Sequence, residues 1–266
     1  MLSNEMLEIV GPALIAGLMV ALTHAPLGVE VLKRGIIFID LAIAQIAGLG
    51  MVAAAIIWNE PQWWVIQLSA LSCALLAALF FRLVERHLPR QQEAIIGCSF
   101  VLAASMALLL LADRPHGSEE IQHLLSGQIL FVTWKDVLIH APVYAIILTF
   151  WFIKQSVRKG IGFYLLFALA ITSSVQLVGV YVVFASLILP ALAAANIKRP
   201  YIVAWGCGIM SVLLGILAAT LMDEPAGPVM VVLYTLTTLL FLISQTFVSK
   251  QRHYKNNINL LLSDIK

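Results

Sequence analysis

Apolar positions dominate this chain in long runs, broken by short clusters of charge and of proline or glycine. The runs cover approximately residues 7–29, 36–57, 63–82, 94–112, 136–153, 161–177, 180–197, 202–221 and 229–249. A helix needs about 20 apolar residues to cross ~30 Å of hydrocarbon, so the pattern predicts one membrane span per run. The sixth and seventh runs are short and meet at residues 176–179, where a single bent element would give eight spans instead of nine. The expected fold is an all-α polytopic membrane protein, a bundle of eight to nine transmembrane helices. One domain would cover residues 1–266, with 250–266 as a short cytoplasmic tail.

Composition excludes the other classes. Hydrophobic residues make up 61% of the chain and charged residues 11%, against about 25% charged in soluble domains. The mean hydropathy is +0.97. A formal net charge of +2 supplies neither a solvated disordered tail nor a basic face for nucleic acid. Cys73, Cys98 and Cys207 all fall inside apolar runs without pairing or zinc-ligand spacing, so they read as small buried residues. The opening segment carries Glu5 and Glu8 and lacks the basic region of a cleavable signal peptide.

Charge then sets the expected orientation. In a nine-span arrangement all but Arg114 and Lys135 of the 16 Lys and Arg fall on one side, which the positive-inside tendency makes cytoplasmic. The other side collects Glu5, Glu8, Glu60, Asp113, Glu119, Glu120, Asp223 and Glu224, so the N-terminus is expected outside and the C-terminus inside. Trp58, Trp63, Trp64 and Trp134 flank outer loops, where amphipathic rings anchor at the headgroups. No extramembrane segment exceeds roughly 25 residues, too short for a soluble nucleotide-hydrolysing domain. No glycine-rich phosphate loop with Lys-Ser/Thr occurs either. If the protein pumps, a partner supplies the energy.

Several residues do not belong in lipid. Asp40 lies about a turn inside the second span, where a carboxylate costs several kcal/mol unless it faces a polar cavity or a partner. It is a candidate path residue, with an ion pair to Lys33 or Arg34 as the structural alternative. His24 sits near the inner end of the first span, with Pro26 and Gly28 expected to break the helix behind it. With the turn centred near residue 32, His24 and Asp40 would lie at matching depth, and Glu30 could join them at the turn. A histidine and carboxylates meeting in this way suit a divalent metal or a proton relay. Gln45 lies about 140° round the helix from Asp40 and reads as an interhelical cross-link. Gln67, His140, Gln176 and Asn196 read the same way. In the outer loop, His116, Glu119, Glu120 and His123 fall at i, i+3, i+4 and i+7, a stripe of Zn²⁺ or Mn²⁺ donors if helical and a solvated loop otherwise.

Four stretches carry a family resemblance. Pro26-Leu27-Gly28-Val29-Glu30-Val31-Leu32-Lys33-Arg34-Gly35-Ile36-Ile37-Phe38-Ile39-Asp40 resembles the apolar approach, basic pair and intramembrane aspartate of the permease subunits of bacterial ABC importers for zinc, manganese and iron. Leu124-Leu125-Ser126-Gly127-Gln128-Ile129-Leu130 is similar to their Leu-Leu-Phe-Gly-x-Ile-Leu stretch. Val178-Gly179-Val180-Tyr181-Val182-Val183 through Leu187-Ile188-Leu189-Pro190-Ala191, and Asp223-Glu224-Pro225-Ala226-Gly227-Pro228, resemble two later segments in the same order.

The resemblance implies a permease in the bacterial inner membrane that pairs with a second copy of itself. It also implies two cytoplasmic ATPases that bind the ATP, and an extracytoplasmic metal-binding protein that delivers Zn²⁺, or Mn²⁺ or Fe²⁺. Two departures stand out. The family reads Gly-Asp-Ala-Leu-Ser-His-Ala where this chain has Asp40 but Ala44 in the histidine position, so the imidazole role would pass to His24. The cytoplasmic loop that carries a coupling helix in the family shrinks here to residues 154–160. ATPase docking would then rest on a composite surface of Arg158 and Lys159, Arg86 and Arg90, and Lys198 and Arg199. The expected function is the non-enzymatic membrane subunit of a divalent-metal importer, zinc ahead of manganese and iron. The rivals are a permease for a metal chelate or siderophore, with a wider and more aromatic path, and a proton-coupled carrier relaying through Asp40 and His24.

Overall fold

The computed structural model describes residues 4–58, 61–111, 125, 127, 129–195 and 197–263. The long helices are α1 (Asn4–Arg34), α2 (Ile39–Ile57), α3 (Trp63–His87), α4 (Gln92–Leu111), α5 (Trp134–Ile153), α6 (Ile161–Ala194), α7 (Pro200–Met222) and α8 (Ala226–Ser263). Each contains a stretch long and apolar enough to cross a membrane, that of α8 ending at Gln245. The backbone of α8 continues as helix through the stretch expected to be a tail.

Helix α6 forms the centre. Of its most apolar window 78% is buried, against 22% in α4 and in α5. The outward side chains Val101, Leu102, Leu108 and Leu109 of α4 are exposed, as suits a surface solvated by acyl chains. Cys98 on the same helix is also exposed, which corrects the expectation that all three cysteines are buried.

The sixth and seventh runs are joined, and the joint is Gly179. Its backbone (φ 78°, ψ 164°) leaves helical geometry and occupies a region that essentially glycine alone tolerates. The arms 161–178 and 180–194 meet there. At the start of α6, Phe163 packs on Trp151 and beneath the Arg34 guanidinium. Toward its end, the carbonyl of Leu187 lies close against Gly28, and Ala194 packs with Ala25 and Val29. Both ends of α6 therefore lie beside the last turns of α1, and the chain reverses direction at the apex. The bent element preserves the alternation of sides expected from nine runs. Gly127 seals the apex, since a Cβ there would sit 2.2 Å from the carbonyl oxygen of Val178.

Helix α1 does not break at Pro26 and Gly28 but continues to Arg34. Pro26 has no N–H for the carbonyl of Leu22 four residues earlier, and the indole of Trp205 on α7 donates to that carbonyl at 2.8 Å. Gly28 serves close packing instead of termination, because a Cβ there would fall 1.9 Å from the Leu187 carbonyl oxygen. At the basic end, Arg34 donates to Glu30 and to Glu85, each at 3.2 Å, and to the carbonyl of Arg158 at 2.7 Å. Arg82 also pairs with Glu85. This network ties α1, α3 and the 154–160 loop together. At the opposite end Gly11 packs against the ring of Trp134. Trp58, Trp63, Trp64 and Trp134 are all exposed.

Candidate functional site

Asp40 lies in the first turn of α2 with no solvent exposure. No side chain pairs with either carboxylate oxygen, and the donors nearest to them are the backbone N–H groups of Asp40 itself and Leu41, neither in full hydrogen-bond geometry. The alternative of an ion pair with the basic residues nearby is not realised, because Arg34 is engaged by Glu30 and Glu85 and Lys33 is exposed. A second carboxylate, which the sequence pattern did not reveal, comes from the first turn of α4. Glu93 Oε1 accepts from the backbone N–H of Phe38 at 3.2 Å, and its Oε2 is buried without a partner. Its charge bears on Asp40. Glu93 lies just ahead of the fourth apolar run, where nothing local in the sequence marks it. Only the packing of α4 on α2 brings it to the entrance of the second.

His24 is fully buried but is not open to a ligand. Its Nδ1 lies 2.7 Å from Ser186 Oγ and its Nε2 lies 2.9 Å from Ser174 Oγ. Ser186 donates its hydroxyl proton to the carbonyl of Val183 at 2.9 Å, so it must accept from His24. This assigns the proton to Nδ1 and makes Nε2 the acceptor. Ser174 then donates to Nε2 and accepts from the phenol of Tyr144 at 2.8 Å. The directed chain Tyr144, Ser174, His24, Ser186, Val183 pins both arms of α6 to α1 and α5. The expected convergence of His24, Glu30 and Asp40 is therefore not formed. The imidazole is saturated by hydroxyls, Glu30 is paired with Arg34, and Asp40 stands beside Glu93. Among the described residues no group of three or more His, Cys, Asp and Glu is arranged to hold a metal ion. His116, Glu119, Glu120 and His123 lie outside the described residues.

A cleft of about 820 Å³, reaching Leu41 but not lined by Asp40, opens between α2, α4, the second arm of α6 and α8. Leu41, Phe100, Tyr181, Phe184 and Val231 line it, with Gln45 among its few polar groups. Gln45 thus faces a cavity.

The basic candidates divide into two kinds. Lys159, Arg86, Arg90, Lys198 and Arg199 are exposed. Arg158 is held within the fold, donating from Nε to the carbonyl of Trp151 at 2.8 Å and lying 5.7 Å from the ring centroids of Trp151 and Phe152. The 154–160 segment contains one 3₁₀ turn, Gln155–Arg158, and no longer helix. It packs beside Arg82, while Phe152 meets Tyr201 of α7, so the three basic loops share one end of the bundle.

The profile of the ABC 3 transport family matches residues 6–159 and 156–247. The chain is 23% identical over 250 residues to the high-affinity zinc uptake system membrane protein ZnuB of Haemophilus influenzae, covering 85% of this chain and 94% of that protein. It is 28% identical over 248 residues to a Thermotoga maritima protein named "Probable metal transport system membrane protein", covering 83% and 84%. Its fold superposes on PsaBC from Streptococcus pneumoniae in complex with Fab, with a TM-score of 0.68 at 22% identity, covering 87% of this chain and 90% of that one. With eight long apolar helices, it is a multi-pass inner-membrane permease subunit of the ABC transporter type. The matched profile spans nearly the whole apolar bundle, and the chain belongs to the ABC 3 transport family.

Proposed function

We propose that this chain is the transmembrane subunit of an ATP-driven importer of a divalent transition metal, with zinc ahead of manganese and iron. The observation that carries the reading is Asp40, a fully buried carboxylate with no cation or side-chain donor on either oxygen. A charge held this way is costly unless something compensates it. A passing divalent cation does so, and Glu93 adds a second oxygen donor beside it. Carboxylates suit all three metals, and the preference for zinc leans on the likeness to ZnuB.

ATP is hydrolysed on a partner. Two ATPase subunits dock on the end of the bundle that carries Lys159, Arg86, Arg90, Lys198 and Arg199, which is the cytoplasmic side. A second copy of the chain completes the path, and an extracytoplasmic metal-binding protein delivers the cargo to the opposite end. The whole of 1–266 acts as one permease domain.

A second reading has its own support. The 820 Å³ cleft is lined chiefly by apolar and aromatic side chains, a wall that suits an organic metal chelate better than a bare ion. The deciding experiment reconstitutes the chain in proteoliposomes with an ABC ATPase subunit that co-purifies with it. It compares ATP-driven uptake of free Zn²⁺, free Mn²⁺ and an iron chelate. Saturable Zn²⁺ uptake abolished by Asp40→Asn supports the metal reading, whereas chelate uptake indifferent to Asp40→Asn selects the second. Uptake by the chain alone, driven by a proton gradient, would replace both with a secondary carrier.

A further inference from the structure

At the end of the bundle opposite Asp40, a cavity of about 620 Å³ opens among α2, α3, α5 and the apex of α6. Gln67, Asp136, His140 and Gln176 supply its polar side chains. Asp136 and His140 are four residues apart and share one face of α5, and each charge bears on the other. By contrast, α2 has Ala44 and no imidazole one turn beyond Asp40.

Each of the two groups is oriented by a hydroxyl and keeps one donor atom spare. Asp136 Oδ2 accepts from the backbone N–H of Thr133 at 2.9 Å and from its hydroxyl at 2.6 Å. This capping box fixes the carboxylate and leaves Oδ1 over. His140 Nδ1 lies 2.7 Å from Ser173 Oγ, which fixes the ring and leaves Nε2 over. Metal-binding histidines and carboxylates are held by their other atom in this way. The capping box explains Asp136 Oδ2 alone. It does not explain why Gln176, on the facing arm of α6, has a buried Oε1 with no hydrogen-bond partner.

We propose that this cavity is a binding site for a divalent transition metal, with Asp136 Oδ1, His140 Nε2 and Gln176 Oε1 as protein ligands. A carboxylate, an imidazole and an amide oxygen, without a thiolate, form a borderline-hard set for Zn²⁺ or Mn²⁺. Three protein ligands leave coordination positions open, so the ion can be taken up and released. The site rests on the metal-importer reading, within which it is the outer receiving point.

The test uses the full-length chain in lipid nanodiscs with Zn²⁺ titrated by calorimetry. His140→Ala is expected to weaken Zn²⁺ binding at least about tenfold, and Asp136→Asn to act in the same direction. In a background without Cys73, Cys98 and Cys207, His140→Cys supplies a single thiolate and is expected to bind Cd²⁺ with a thiolate-to-cadmium charge-transfer absorption that weakens when Asp136→Asn is added, as a purely structural position would not require. This second variant keeps the question answerable if the alanine variant folds poorly. Equal Zn²⁺ affinity in wild type and His140→Ala, or no charge-transfer band in His140→Cys, overturns the site. Binding is read without an ATPase, so that result leaves the importer reading to its own uptake assay.

Discussion

The indole N–H of Trp205 on α7 donates to the main-chain carbonyl of Leu22 on α1, 183 residues away in sequence. That carbonyl is the acceptor left vacant by Pro26, so a helix with proline in its interior stays continuous because a neighbouring helix supplies the missing donor. Continuity matters because the turns beyond Pro26 carry Gly28, Glu30 and Arg34. Gly28 contacts the second arm of α6, and Arg34, paired with Glu30, contacts α3 and the 154–160 loop.

This substitute hydrogen bond is testable by a double-mutant cycle. Trp205→Phe keeps most of the ring and removes the donor, and should destabilise the protein by about 1–3 kcal/mol. In a Pro26→Ala background the helix regains its own N–H, and the same substitution should cost clearly less. Thermal unfolding of all four proteins in one detergent checks this, and additive effects would show that the indole contributes packing alone.

Asp40→Asn preserves volume and removes the charge. Metal-stimulated ATP turnover of the complex should fall at least about tenfold while membrane yield is unchanged, since removing an unpartnered intramembrane charge relieves the bundle. Glu93→Gln retains an acceptor for the Phe38 N–H and should produce a smaller loss, greatest at low metal. Normal uptake by both variants would make these carboxylates structural.

His24 should behave as a structural pin. His24→Ala leaves the hydroxyls of Ser174 and Ser186 without their shared partner and is expected to cost about 1–3 kcal/mol. Ser186→Ala should cost little more once His24 is gone, because the two groups act in one chain of hydrogen bonds. A His24→Ala protein of wild-type thermal stability that had lost uptake alone would move the imidazole back to the path.

The basic loops should separate by role. Lys159→Glu places an opposite charge on an exposed position and should weaken co-purification with the ATPase without lowering thermal stability. Arg158→Glu removes contacts to Trp151 and Phe152 and should lower stability as well. Equal behaviour of the two variants in both measurements would argue against a docking surface that includes Lys159.

Sidedness is accessible to labelling. In a cysteine-free background, Thr133→Cys should react with an impermeant maleimide added to intact cells, and Ser156→Cys should react only after lysis. Labelling of position 156 from outside would reverse the orientation.

The sequence by itself determined that the chain is a helical membrane bundle, where its apolar stretches lie and which helix ends share a side. Length, apolarity and the placement of Lys and Arg are local properties, and a bilayer reads them one segment at a time. The motifs around Asp40, Gly127, Gly179 and 223–228 were also visible, because they are contiguous in the chain. Partnership was decided only in three dimensions. His24, a candidate ligand on its own helix, spends both ring nitrogens on serines 150 and 162 residues away. Glu30 is claimed by Arg34, Glu93 is carried to Asp40 by helix packing, and Pro26 is tolerated because of Trp205. Whether Gly179 bends a helix or separates two was likewise settled by contacts at both ends of α6. A buried polar group is defined by what meets it, and in a bundle those groups come from helices far apart in sequence, whose mutual rotation no local pattern encodes.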